Sequence, residues 1–118
     1  MTRDELIAAM RQTAGEKPTP LEIPGWGTIH IKALSAADVD RQSREESSGG
    51  LNPDHRFARG AARAICDESG NLIFDAKNPD DVALLAGQRW AGLLEKVIGA
   101  INRANGIGEQ GNEEQKNG

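Results

Sequence analysis

The chain of 118 residues has one cysteine, no tyrosine and four aromatic side chains in all, two Trp and two Phe. Each scarcity removes a class of protein. A lone Cys66 cannot form an intrachain disulfide, so this is not a disulfide scaffold, and a reducing compartment is expected. So few rings mean that the core must rest on Leu, Ile, Val and Ala. Positive charge is also short. Fourteen Lys and Arg against 18 Asp and Glu give a net charge of −4. Nucleic-acid binders draw much of their affinity from cations that neutralise phosphates, so that role is not expected. The N-terminus MTRDELIAAM carries acids and lacks the apolar stretch of a signal peptide. No run approaches the ~20 apolar residues needed to span a bilayer. A cytoplasmic protein without membrane contact is the expectation, and the length suits a single domain with a modest core.

Chemistry-bearing motifs are equally sparse. CDESGNLIFD, Cys66 to Asp75, gathers oxygen side chains around a glycine like a calcium loop. Placing Gly70 at the sixth position puts Ile65 first and Ala76 last, where the loop needs carboxylates. The stretch therefore reads as a turn, with Gly70 supplying a positive φ. Leu72, Ile73 and Phe74 read as a short strand after it, with Ala64, Ile65 and Cys66 leading in. His30, His55 and Cys66 are the remaining candidates for catalysis, and nothing in their spacing brings them together. There is no Walker loop, zinc-protease helix, nucleophile elbow or paired C-x-x-C. No catalytic residue, metal site or cofactor is assigned, and a binding module is expected rather than an enzyme.

What is present is periodicity. Thr2 to Thr13 reads as a helix opened by a T-x-x-E capping box, with Leu6, Ile7 and Met10 on a narrow apolar face. LEIPGWGTIHI alternates with a period of two around Pro24-Gly25, the mark of a hairpin whose connection extends through Gly27. Trp26 at its tip is either a lid over the core or an exposed contact, the lid having the stronger claim. Ser35 and Asp38 open a polar helix from Ala36 to about Glu46, which runs into the flexible, weakly packed SSGGLNP. Asn52-Pro53-Asp54 and Asn78-Pro79-Asp80 each start a further helix, the second carrying Val82, Leu84 and Leu85. Arg56, Arg59 and Arg63, at i, i+3 and i+7, form a basic stripe on the first of these. It reads as a solvated face, with docking of an acidic partner as the alternative.

The strongest signal is Trp90, Leu93, Leu94, Val97, Ile98 and Ile101, a helical apolar face sustained over i to i+11 and closed by Asn105-Gly106. It is expected to supply core first, with Trp90, Leu93, Val97 and Ile101 mainly buried. Residues 106–118 are polar and glycine-rich, and disorder is expected there. The fold class follows as α+β and mainly helical. An N-terminal helix and β-hairpin precede a small helical bundle in one domain, 1–105, with a disordered tail.

The order RDELIAAM, LEIPGWGTIHIKALSAADVDR, ARAICDESGNLIF and LLEKVIGAINRANGI, from Thr2 to Gly106, resembles the tail assembly chaperones of long-tailed bacteriophages. Within it, EESSGGLNPDHR is shorter and more polar than the corresponding helical region of that family. The resemblance implies a non-enzymatic protein of the host bacterial cytoplasm. It would coat the tape measure protein, help recruit tail-tube subunits and leave before the virion is finished. It also implies the short form of a product that a ribosomal frameshift can extend. Candidate partner-binding residues are Arg56, Arg59, Arg63, Trp90, Leu94 and Ile98, and a homo-oligomer is a further expectation. The alternatives are a structural head–tail connector or minor tail protein, an antitoxin-like regulatory module, and a small hydrolase using Cys66 or a metal held by His30 and His55.

Overall fold

A computed structural model describes residues 1–106; the tail from 107 to 118, expected to be disordered, lies outside the described residues. Helix α1 covers Arg3–Ala14, and strands β1 and β2 cover Thr19–Ile23 and Gly27–Ile31. Helix α2 follows at Ala36–Ser47. A short turn at Pro53–His55 leads into α3, Arg56–Ala62, and then β3, Ile65–Cys66. Helices α4, Pro79–Ala86, and α5, Glu95–Ala104, follow. The class is α+β and mainly helical, as expected.

Local chemistry accounts for the element starts. The Thr2 hydroxyl accepts from the Glu5 N–H, and Ser35 and Asp38 make a reciprocal capping box. Asn52 and Asn78 accept N–H groups from the following turns, each with proline at the next position. The hairpin turns on Pro24 and Gly25, with the Trp26 N–H donating to the Ile23 carbonyl and with Gly25 and Gly27 both at positive φ. The connection is wider than a two-residue turn, as expected, but it ends at Trp26, and Gly27 already pairs with Ile23 as the first residue of β2.

The sheet is larger than a hairpin. β3 pairs with β2 in antiparallel register, Ile31 opposite Ile65 and His30 opposite Cys66, giving the order β1-β2-β3. Leu72 to Phe74 do not form a strand; a single bridge joins Leu72 to Cys66, and the Ile73 N–H donates to the Ile65 carbonyl. The intervening turn is organised by Asp67, whose carboxylate accepts the Ser69 and Asn71 N–H groups. Asp67 thus serves the turn, with Gly70 at φ +88.

The core lies between the inner face of the sheet and α3, α4 and α5. Ile23, Ile31, Ile65, Val82, Leu85, Leu94 and Val97 meet Ala58, Ala61, Ala62 and Ala64 there. No aromatic is fully buried; Trp26 and Phe74 pack on the core margin. Alanines on α3 let its backbone approach the neighbouring elements closely. At the far end, the Asn105 carboxamide accepts from the Leu34 N–H at 3.0 Å and donates to the Ile101 carbonyl at 2.8 Å. It fastens the last helix to the link between β2 and α2.

The apolar face read from Trp90 to Ile101 as one helix is broken. Ala91 is extended and Gly92 sits at φ +79, so the regular helix begins only after Leu94. Glycine pays no Cβ penalty at positive φ, and the chain turns there instead of continuing the helix. Val97 is fully buried and Leu93 and Ile101 are half-buried, but Trp90 is exposed, contrary to the expectation that it is mainly buried.

Ile31→Ala is expected to lower unfolding free energy by about 2–5 kcal/mol, the range for truncating a buried isoleucine. Asn105→Ala should cost about 1–3 kcal/mol by leaving the Leu34 N–H unpaired. Urea denaturation of both variants beside the native chain measures each.

Candidate partner-binding surface

The placement of α2 sets the shape of the surface. Its sequence, AADVDRQSREES, leaves it with no buried residue and with Val39 exposed. Packing of an apolar face, which usually holds a helix, cannot hold this one. Charge does. Arg59 on α3 and Arg63 at its C-terminal cap, four residues apart, lie on one side and meet the adjacent Glu45 and Glu46 in the last turns of α2. Arg59 grips Glu46 with two parallel bonds, Nε at 2.7 Å and a terminal nitrogen at 2.8 Å, and its other terminal nitrogen donates to the Asn52 carbonyl at 2.7 Å. Arg63 bridges both carboxylates at 2.9 and 3.0 Å. The Arg59 side chain is only 6% exposed. A buried guanidinium is tolerable because every side of its fork is bonded.

Hydrogen bonding from Arg59, with Arg63 adding to it against the cost of burial, lowers the Glu46 carboxyl to about 2. The same bond raises Arg59 above its ordinary value.

The basic stripe is therefore corrected. Arg59 is buried and Arg63 nearly so, both turned inward onto α2, and Arg56 alone faces solvent. The spacing on α3 was legible; the acceptors were not, because they lie on a helix with no apolar signal to place it. The segment expected to be loose is tied at both ends of its connection, through Glu45 and Glu46 on one side and the Asn52 carbonyl on the other. Leu94 is corrected too: it is core, 5% exposed, and cannot meet a partner.

With α2 held in this way, a cleft of about 920 Å³ lies between α2, α3 and α5. Phe57, Ile98, Ile101 and Leu34 line it, with Glu46 and Arg56 among its charged residues. Trp90 leans on Phe57, ring centres 5.1 Å apart and planes tilted by 55°. Phe57 is 56% exposed and Trp90 45%. Of the six residues expected to bind a partner, Arg56, Ile98 and the mostly buried Arg63 line this cleft, and Trp90 borders it through Phe57. By spacing Phe57, Ala61, Ala64 and Ile65 read as the apolar side of one helix, and only the fold reveals Phe57 as a surface residue.

A second concavity, about 320 Å³, opens between the hairpin tip and α4. Trp26, Ile29, Ile73, Phe74, Leu84 and Leu85 line it, and Gln88 is its one polar side chain. Trp26 is half-buried here, part lid and part wall. All four aromatics of the chain thus stand at these two concavities.

The candidate catalytic groups do not assemble. His30 and Cys66 face each other across β2 and β3, a proximity that spacing did not reveal, but the thiol donates to the His30 backbone carbonyl at 3.6 Å. Burial pushes the thiol above its usual range, opposite to what a nucleophile needs. His55 sits apart in the turn before α3. Among the described residues no group of three or more His, Cys, Asp and Glu could hold a metal ion.

Because the folded chain holds Glu46 ionised, its contribution is complete above the unfolded carboxyl value and is lost as pH falls from 4.5 toward 2. Asp38 and Asp67, also lowered by hydrogen bonds, act in the same direction. Glu46→Gln should therefore reduce stability near neutrality and flatten its decline through that window. Arg59→Ala should cost about 3–5 kcal/mol, as expected when one partner of a buried pair is removed. Chemical denaturation at stepped pH checks both.

Comparison of the chain with protein families, characterised proteins and solved structures finds no match, so the functional reading rests on this geometry and on the sequence resemblance.

Proposed function

We propose that this protein is a tail assembly chaperone of a long-tailed bacteriophage, acting in the host bacterial cytoplasm. It binds helical segments of the tape measure protein and keeps them soluble until tail-tube subunits, which it helps recruit, close around them. The observation that carries the reading is the placement of the aromatics. A core this poor in rings would gain most by burying them, yet Phe57 and Trp90 stand in solvent beside Ile98 and Ile101. Exposed aromatic pairs over an apolar floor, rimmed by charge, are the usual anchors of protein contact. The cleft between α2 and α5 suits an amphipathic helix laid with its apolar face inward.

The chemistry of the partner follows from the site. Tape measure segments present apolar helical stripes before assembly, and a chaperone must cover them and then let go. A limited patch with a few aromatic anchors gives an interface of that kind. Arg56 and Glu46 at the edge steer orientation more than they add affinity. No helix among the described residues is long and apolar enough to cross a membrane. The buried, bonded thiol of Cys66 and the separated histidines support binding rather than catalysis as the role.

Capture of the tape measure protein by the co-expressed chain should fall about tenfold or more for Phe57→Ala combined with Trp90→Ala, the effect of losing a hot spot. Both side chains are exposed, so the circular dichroism spectrum should be unchanged. Undiminished capture would remove this surface from the reading. Mass spectrometry of purified virions should find the chain absent; its presence would favour a structural tail component instead.

A further inference from the structure

Helix α1 is capped at its start by Thr2, which accepts the Glu5 N–H, and at its end by the Gly15 N–H, which donates to the Gln12 and Thr13 carbonyls. Yet it buries no residue, and Leu6 and Met10 are exposed. An isolated helix of this length is marginal in water. Its stripe of Leu6, Ile7 and Met10, in which only Ile7 is half-buried, calls for a cover that the other described residues do not complete. The concavity between the hairpin tip and α4 has the reverse need: apolar walls from Trp26, Ile29, Ile73, Phe74 and Leu84, left open by the described residues.

We propose that the two satisfy each other between copies: α1 of one molecule lies in the Trp26–Phe74–Leu84 groove of a second copy. Geometry rules against the same molecule. Pro20 and His30 are paired across β1 and β2 and belong to the outer face of the sheet, while Ile29, Ile31 and Ile65 belong to the inner one. The segment from Gly15 to Pro18 that leads out of α1 lies with Pro20, His30, Glu68 and Ser69, on that outer face. Pro18 is seated there against Gly70, where an added side chain would meet its ring. The groove opens on the inner face, so its own α1 starts from the wrong side of the sheet.

Charge favours the pairing. Arg3 stands one turn before Leu6 in line with the apolar stripe, and Arg11 follows Met10 on its flank. On α4, Asp80 stands one turn before Leu84 at the rim of the groove, in an acidic first turn with Asp81. Asp4 and Glu5 balance the two arginines over the helix as a whole. Arg3 alone, however, lies in line with the stripe, Asp4 and Arg11 sharing its flank, so the stripe brings a cation toward uncharged walls one turn from the acidic start of α4. If each molecule both gives and receives α1, the contact is isologous and closes as a dimer, with no open chain of copies. The inference does not depend on the phage reading; it uses a different concavity from the Phe57–Trp90 cleft.

Two variants of the full chain, Met10→Cys and Leu84→Cys, test it when mixed and mildly oxidised. Both positions are exposed, and the native Cys66 is buried and does not compete. The expected product is a disulfide dimer containing one chain of each variant. Only like-with-like products, or none, would overturn the proposal, as would a single chain with both substitutions closing on itself at high dilution. In sedimentation, the native chain should show a concentration-dependent dimer. Leu84→Asp should weaken it about tenfold or more by placing charge in the apolar contact. Arg3→Glu should weaken it and Asp80→Arg restore it, a rescue that misfolding cannot imitate. A native chain that remains monomeric at every concentration would refute the interface. None of these measurements involves the tape measure protein, so failure here leaves the capture result standing, and the reverse.

Discussion

The buried bond between Arg59 and Glu46 decides the shape of the molecule's surface. It is the most buried of the ionic ties, with those of Arg63 and Lys32, that hold α2 where it lies, since the helix presents Gln, Ser, Asp and Glu and buries none of its residues. Placing a guanidinium where it is 6% exposed is costly, and the full set of bonds to Glu46 and Asn52 offsets that cost. Replacing the group with apolar side chains of similar size would often stabilise a protein equally well. What the ion pair adds is direction: a bidentate fork fixes both the distance and the rotation of α2 against α3. The cleft beside Phe57 exists because that distance is held.

The remainder of the fold is economical in a different way. Short side chains on α3, from Ala58 to Ala64, allow the sheet and two helices to crowd around it, so isoleucines and valines suffice for a core. β3 is only two residues long, yet it joins α3 to the hairpin and places Ile65 opposite Ile31. Asn105 then closes the circuit by bonding the β2–α2 link to the end of α5. Each of these ties is a local device working at long sequence separation, and together they make a small core sufficient.

Elements governed by local rules were legible in the sequence. The caps at Thr2, Ser35, Asn52 and Asn78, the turn at Pro24-Gly25 and the alternation of Leu21, Ile23, Ile29 and Ile31 all speak within a few residues. Pairings between distant segments were not. The stripe Arg56, Arg59, Arg63 has the same spacing whether it meets water or Glu46, and only the fold decides. Trp90 failed for a related reason: periodicity cannot see that Gly92 adopts φ +79, so a rim residue was read as part of a helix face. Of the candidate site, Arg56, Trp90 and Ile98 were within reach of pattern, whereas Phe57 and the whole groove at Leu84 required three dimensions.

The distribution of rings is the last constraint, and it separates folding from binding. Trp26, Phe57, Phe74 and Trp90 could each contribute more apolar area to a core than any residue now there. The structure instead places them at two surface concavities, Trp26 and Phe74 lining one, Phe57 lining the other with Trp90 against it, and leaves the aliphatic residues and alanines to hold the centre. Such an arrangement gives up intrinsic stability, and the exposed rings become favourable only when something covers them. On the proposed function, a chain built in this way would gain part of its stability from its partners. Release then requires only that a competing surface cover those partners, since the chain's own core does not change. The aliphatic centre and the Arg59–Glu46 bond maintain the shape in the interval. The aromatics, placed outside it, are where the proposed contact with other proteins would be concentrated.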